Sequence, residues 1–197
     1  MKAQGLTVNL LSVFTEPQKL KAHMDDNLGT AKLENRLINL FQSAQQRPAI
    51  VLCIGTDRST GDSLGPLIGT NLSRLGLPQL NVFGTLDQPV HATNLVEQLN
   101  LIDKSFVNPF VIAIDACLGR LDSVGCITLS EGPLRPGAGV HKNLPEVGEV
   151  HFTGIVNVGG FMEYMVLQNT RLSLVWHMAE SMSSIISRAY VKNRCVQ

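Results

Sequence analysis

From Ala49 onward the chain alternates short apolar runs with amphipathic stretches, and this alternation limits the possible folds more than any other feature. The spacing predicts strands over 49–54, 81–86, 110–114, 126–129 and 150–156, and helices over 62–75, 91–102, 161–168 and 170–191. Residues 110–114 read Phe-Val-Ile-Ala-Ile, a wholly apolar run that fits a strand buried on both faces of a sheet. Strands alternating with helices build βαβ units. The expected fold is therefore α/β, a three-layer α/β/α sandwich with a largely parallel sheet. Ahead of this region, residues 28–41 carry Leu33, Leu37, Leu40 and Phe41 at helical spacing, and Pro48 ends the pattern. Residues 8–14 read as a short β-like run, and Thr15 as the cap of a helical turn through Pro17 and Lys19. The 197 residues suit one domain, with 1–27 as an N-terminal appendage to a core over 28–191.

Charge and cysteine content narrow the function classes. Lys+Arg and Asp+Glu both number 16, so the net charge is zero, and no nucleic-acid or anionic-membrane surface is expected. The cysteines Cys53, Cys117, Cys126 and Cys195 are widely spaced and form no C-x-x-C pair, which suits reduced thiols. The first residues lack a clear signal-peptide cleavage site, and the apolar runs are too short to span a bilayer. A soluble cytoplasmic protein is the expectation.

The junction over 50–66, Ile-Val-Leu-Cys-Ile-Gly-Thr-Asp-Arg-Ser-Thr-Gly-Asp-Ser-Leu-Gly-Pro, carries the strongest chemical signal. A strand passes through a glycine-bounded loop into a helix, which is where open α/β sheets place their sites. A phosphate-binding loop would have four residues between its glycines, followed by Lys and Ser or Thr. Here five residues separate Gly55 from Gly61, and Asp62 comes next. Asp57 and Asp62 would repel a phosphate, so the loop points to acid chemistry or a metal. The plainer explanation of Asp62 is a helix N-cap. Thr60 lies in the same loop, and Arg58 could lower the pKa of a neighbouring Asp or grip a substrate carboxylate.

Asp115 directly follows the apolar run 110–114 and should stand at the carboxyl edge of the sheet, partly desolvated and with a raised pKa. Close to Asp62 it would form a carboxylate pair that holds one proton. Such a pair can activate water with one member and protonate a leaving amine with the other. Asp87 and His91 fall at another strand-to-helix junction on the same edge, where a turn with a polar helix start is the simpler account. Asn157 follows the strand over 150–156 and either hydrogen-bonds substrate backbone or closes a turn with Gly159 and Gly160. In the loop over 136–145, Gly137 and Gly139 suggest positive φ or close backbone approach. His141 beside them, with Asp62 and Asp115, would make an oxygen, oxygen, nitrogen ligand set for a divalent transition metal, although a lone loop histidine is more often ordinary. A nucleophilic pair of Cys117 with His91 or His141 has no local signature.

Several of these segments together resemble a known family. Cys53-Ile-Gly-Thr-Asp-Arg-Ser-Thr-Gly-Asp-Ser-Leu-Gly-Pro66, Gly84-Thr-Leu-Asp-Gln-Pro-Val-His-Ala92, Ala113-Ile-Asp-Ala-Cys-Leu-Gly119, Pro136-Gly-Ala-Gly-Val140 and Leu167-Gln-Asn-Thr-Arg-Leu172 resemble the signature of the spore-protease-like sporulation family of endospore-forming bacteria. That family is similar to the germination protease, which degrades small acid-soluble spore proteins, and more distantly to hydrogenase maturation endopeptidases. The resemblance implies a phosphorylase/hydrolase-like fold. It also implies a sporulation-associated peptidase of the aspartic type, without cofactor, with Asp62 and Asp115 catalytic and spore proteins or peptides as substrates in the cytoplasm or forespore. The hydrogenase maturation enzymes imply the alternative, a metal-dependent endopeptidase holding nickel or zinc through Asp62, Asp115 and His141. A third reading keeps the fold as a non-catalytic binding protein of sporulation. The chain is considerably shorter than the germination protease and shows no pro-segment, so the resemblance does not carry over zymogen control.

Overall fold

The first described strand, β1 (Lys19–His23), alternates outward Lys19, Lys21 and His23 with inward Leu20 and Ala22. The computed structural model of the chain describes residues 19–137 and 144–195, so the β-like run over 8–14 and the turn from Thr15 to Pro17 lie outside the described residues. Lys19 was expected in that helical turn and is instead part of β1. The elements then follow as α1 (Asn27–Ala44), β2 (Ala49–Cys53), a 3-10 turn (Gly61–Ser63), α2 (Leu64–Arg74), β3 (Leu80–Phe83), α3 (Leu95–Ser105), β4 (Phe110–Gly119), a second 3-10 turn (Leu121–Ser123), β5 (Cys126–Glu131), β6 (Val150–Val158), α4 (Glu163–Gln168) and α5 (Leu172–Cys195).

The strands form one sheet in the order β1-β5-β6-β4-β2-β3. Strands β6, β4, β2 and β3 are parallel neighbours, and β5 runs antiparallel to both β1 and β6. This is the mixed α/β architecture expected, a mostly parallel sheet flanked by helices. Helices α1, α2 and α5 bury Leu33, Leu37, Leu64, Ile68, Met178, Met182 and Ile186 against one face. Helix α3 packs Leu95 and Ile102 on the other face, over Ile50, Leu52 and Ala113. Among the described residues, no helix is long and apolar enough to cross a membrane.

Two connections fix where a site can form. The chain leaves β2 through α2 on one face to reach β3. It returns through α3 on the opposite face to β4, on the far side of β2. Outgoing chains diverge between β2 and β4, and such a switch point leaves a crevice at the carboxyl ends of the strands.

The structure moves several expected boundaries. Helix α3 begins at Leu95, not near residue 91, because Asn94 is engaged in a turn: its Oδ1 accepts the His91 amide at 2.8 Å and its Nδ2 donates to the Pro89 carbonyl at 3.0 Å. Asp62 is not an N-cap. It lies within the 3-10 turn, and Ser63 stands at the cap of α2 without a side-chain cap bond. Asp115 does not follow its strand but lies inside it, because β4 runs on to Gly119 by pairing with β6. Asn157 likewise lies within β6.

Candidate active site

Strand β2 pairs with β4 as far as Cys53 and Ile114, and then leaves the sheet. The next residue of β4 is Asp115, so its carboxyl stands where β4 has lost its β2 neighbour and kept β6. This is the sheet edge at the switch point. The carboxyl is half-buried, and burial is the largest influence on it, followed by the charge of Asp62. Amide donors Ala116, at 2.9 Å, and Gly137 favour the ionised form but do not prevail, and the pKa is pushed up to about 7. The Gly137 amide reaches the carboxyl from a left-handed backbone (φ 68°), which matches the close approach expected of this glycine.

Asp62 is brought to the crevice by the loop after β2. The Gly55 amide donates to the Val90 carbonyl at 2.8 Å, and the Thr56 amide donates to the Asp62 carbonyl at 3.1 Å, which closes the loop on itself. Gly55 has φ 150°, and a Cβ there would stand 2.0 Å from the Asp62 carbonyl oxygen, so only glycine lets the loop close. The Ser63 amide and hydroxyl donate to the Thr60 carbonyl at 3.3 and 2.6 Å, tightening the 3-10 turn. Burial raises the Asp62 pKa, and the adjacent Ser59 hydroxyl partly offsets the rise. Two carboxyls of raised pKa, one of which feels the charge of the other, form a pair that holds a proton more readily than an isolated aspartate does.

Other candidate residues take different places. Asp57 and Arg58 are exposed on the loop, and neither makes an ion pair among the described residues. Arg58 is not among the groups that shift Asp62 or Asp115. Thr60 contributes its backbone carbonyl to the turn. Asp87 is exposed in the turn after β3, whereas His91 follows Val90, the residue bonded to Gly55, and its Nδ1 lies 2.9 Å from Thr93 Oγ1. Cys117 has its thiol pKa pushed up by burial, so it is no activated nucleophile. His141 and Gly139 lie outside the described residues. Asp62 and Asp115 supply two oxygen donors for a cation. Among the described residues, no cluster of three or more His, Cys, Asp and Glu side chains forms.

Asn157 has a role that its sequence position did not show. Its amide donates to the Val166 carbonyl at 3.3 Å and to Thr170 Oγ1 at 3.2 Å, fastening α4 over the end of β6. Leu167 and Thr170 in turn pack directly on Gly61, next to Asp62. Beside Asn157, Val158, Phe161, Met162 and Met165 line a shallow apolar cleft of about 520 Å³. The Asx-type anchor and its neighbours are separated too far in sequence to be paired by spacing alone.

Residues 21–185 match the family described as Protein of unknown function (DUF1256). The chain belongs to this family. It is 50% identical over 177 residues to "Uncharacterized protein YyaC" of Bacillus subtilis (strain 168), a match covering 89% of this chain and 86% of that protein. Its fold is similar to that of the [NiFe] hydrogenase maturation protease HycI from Thermococcus kodakarensis KOD1. That likeness has a TM-score of 0.51 at 16% identity and covers 77% of this chain and 97% of the other. At so low an identity it establishes a shared architecture, in agreement with the fold read from the sequence.

Proposed function

We propose that this DUF1256 protein is a peptidase in which Asp62 and Asp115 share the acid and base roles. One observation carries the reading: at the switch-point crevice, burial and the charge of Asp62 push Asp115 up to about 7. With one proton between the two carboxyls, the ionised member takes a proton from the water attacking the peptide carbonyl. The protonated member then delivers its proton to the leaving amine, and the pair ends as it began. The likeness in fold to a hydrogenase maturation protease supports a hydrolase. The motif resemblance supports a sporulation-associated enzyme acting on spore proteins in the cytoplasm or forespore, with residues 1–197 as one peptidase domain.

The test is incubation of the purified protein with small acid-soluble spore proteins and with an unfolded general substrate such as casein, followed by mass spectrometry of the products. Discrete cleavage is expected. Asp62→Asn and Asp115→Asn should each slow it by roughly 10²- to 10⁴-fold, the usual contribution of a positioned acid or base. Equal cleavage by the wild type and the double variant overturns the reading.

The same crowding of carboxylates favours one second reading, in which Asp62 and Asp115, together with His141 as the sequence suggests, hold a divalent transition metal such as nickel or zinc, since a cation relieves the repulsion of the two carboxylates. Cleavage that stops in excess chelator and returns with added metal distinguishes it from the proton-sharing pair.

A further inference from the structure

At the opposite end of the sheet from the carboxyl pair lies a second cavity, of about 550 Å³. Ala49 opens β2, Asn81 is the second residue of β3 and Phe110 opens β4, so the parallel strands begin at its wall, roughly 16 Å along β4 from Asp115. The other walls come from the last turns of α1 and α5 and from Gln45 and Gln79, which lie just outside α1 and β3. Phe41 meets Phe110 and Tyr190 edge to face there, with ring centroids 5.7 and 5.5 Å apart, and these rings give the cavity an aromatic side. Tyr190, Asn193 and Arg194 are spaced by three and four residues on one face of α5, which brings all three to the same cavity.

Three features of this cavity work against the stability of the fold by itself. Asn193 is only 6% exposed, and its Oδ1 has no hydrogen-bond partner among the described residues, an arrangement that costs free energy until a donor meets the oxygen. Gln45 (φ 55°, ψ −130°) and Gln79 (φ 64°) hold backbone conformations that favour glycine. Among the described residues four non-glycine positions have positive φ, and these two line one cavity. The charge is also unbalanced, because two arginines and no carboxylate line the walls. Arg47 is fully engaged by the Asn108 and Pro109 carbonyls and by Glu149. Arg194 donates to Gln79 Oε1 at 2.6 Å and lies over the Tyr190 ring, but has no carboxylate partner among the described residues.

We propose that this cavity binds a purine nucleoside monophosphate. The three unmet demands call for one molecule that has a flat ring, an N–H on the edge of that ring and an anion tethered to it. The base lies along the aromatic side and donates from its edge to Asn193 Oδ1. The carboxamides of Gln79 and Asn81 offer the paired donors and acceptors that suit a base edge. The phosphate meets the Arg194 guanidinium at the solvent side, where a planar fork of donors fits phosphate oxygens. The volume falls in the range of small-molecule sites. This site shares no residue with the carboxyl crevice, so the proposal stands or falls independently of the peptidase reading.

The probes are AMP, GMP, adenosine and ribose 5-phosphate, each titrated into the full chain by isothermal titration calorimetry. AMP or GMP should bind with a dissociation constant of about 10–100 µM, and adenosine and ribose 5-phosphate each roughly tenfold more weakly. Arg194→Gln should weaken the nucleotide roughly fivefold, as for one exposed ion pair, and leave adenosine unchanged. Asn193→Leu should weaken nucleotide and adenosine alike by roughly tenfold. Without ligand that variant should melt no lower than the wild type, because an unmet buried oxygen has been replaced by an apolar side chain of similar size. This pairing of retained stability with lost binding separates a ligand contact from a structural one. The Asp62→Asn, Asp115→Asn double variant should bind as the wild type does. Failure of both AMP and GMP to bind, ribose 5-phosphate binding as tightly as they do, or affinities untouched by the Asn193 and Arg194 variants overturns the proposal. So does an Asn193→Leu chain that melts well below the wild type without ligand, since the amide is then satisfied within the fold.

Discussion

Asp115 costs the fold stability whenever it is ionised. Its pKa is raised in the folded chain to about 7 from an ordinary value of 3.8, so the folded state holds a proton that the unfolded state releases. Stability on this account is fullest below about pH 4, falls as pH rises through the interval up to about 7, and is flat above it. Asn at this position keeps the shape and removes the charge. Asp115→Asn should therefore be more stable than the wild type at pH 8, by on the order of 2 kcal/mol after discounting for the solvent-facing side of the group, and so melt at a higher temperature, and the difference should close near pH 4. Differential scanning calorimetry across this range reads both limbs, and identical melting at pH 8 would show that the carboxyl is not desolvated. Asp62 and Asp115 stood out in the sequence as candidates, because an acid replaced the lysine of a phosphate loop and another followed an apolar strand. Their mutual influence was legible only as a condition, that the two lie close, and the sequence did not show what brings them together. It arises from the handing-over of chain between β2 and β4, which places side chains distant in sequence at one sheet edge.

Element boundaries record which signals are local. Helices α1 and α5 bury apolar residues at helical spacing along their whole length, so both were readable. The extension of β4 through residues 116–119 was not, because its hydrogen bonds come from β6, a partner far along the chain. Strand β1 was missed because Leu20 and Ala22 are its only inward positions, too few to define a period of two. Helix α2 and strand β2 meet with no space between them: a Cβ on Gly65 would stand 2.1 Å from the Ile54 carbonyl oxygen. Gly65→Ala must therefore displace the start of the helix that carries the Asp62 turn. The expected cost is about 1–3 kcal/mol in urea unfolding. A variant as stable as the wild type would show that α2 can shift freely.

At the scale of the whole molecule, α1 and α5 are joined by an unequal ion triad. The Glu34 carboxylate is buried, whereas Arg188 and Lys192, which donate to it at 2.8 and 2.7 Å, are more than half exposed. Removing Glu34 leaves two cations that rehydrate at the surface. Removing both cations leaves a charge stranded inside. Glu34→Ala should cost only about 1 kcal/mol beyond its lost packing, and Arg188→Ala with Lys192→Ala about 3–5 kcal/mol, compared by chemical denaturation. Equal costs would mean that water reaches Glu34.

The overhang of β4 beyond β2 divides the site into parts of different origin. Asp115 is fixed by a ladder of backbone bonds to β6, whereas Asp62 depends on one glycine-hinged turn of seven residues. The turn can be exchanged between relatives, or redesigned, without disturbing the register of the sheet. The strand acid has no such freedom, because moving it one position along β4 would turn it into the core. Innovation in this architecture is therefore confined to one side of the crevice, and a library that varies the exposed Asp57 and Arg58 while holding β4 constant would sample new chemistry at little risk to the fold.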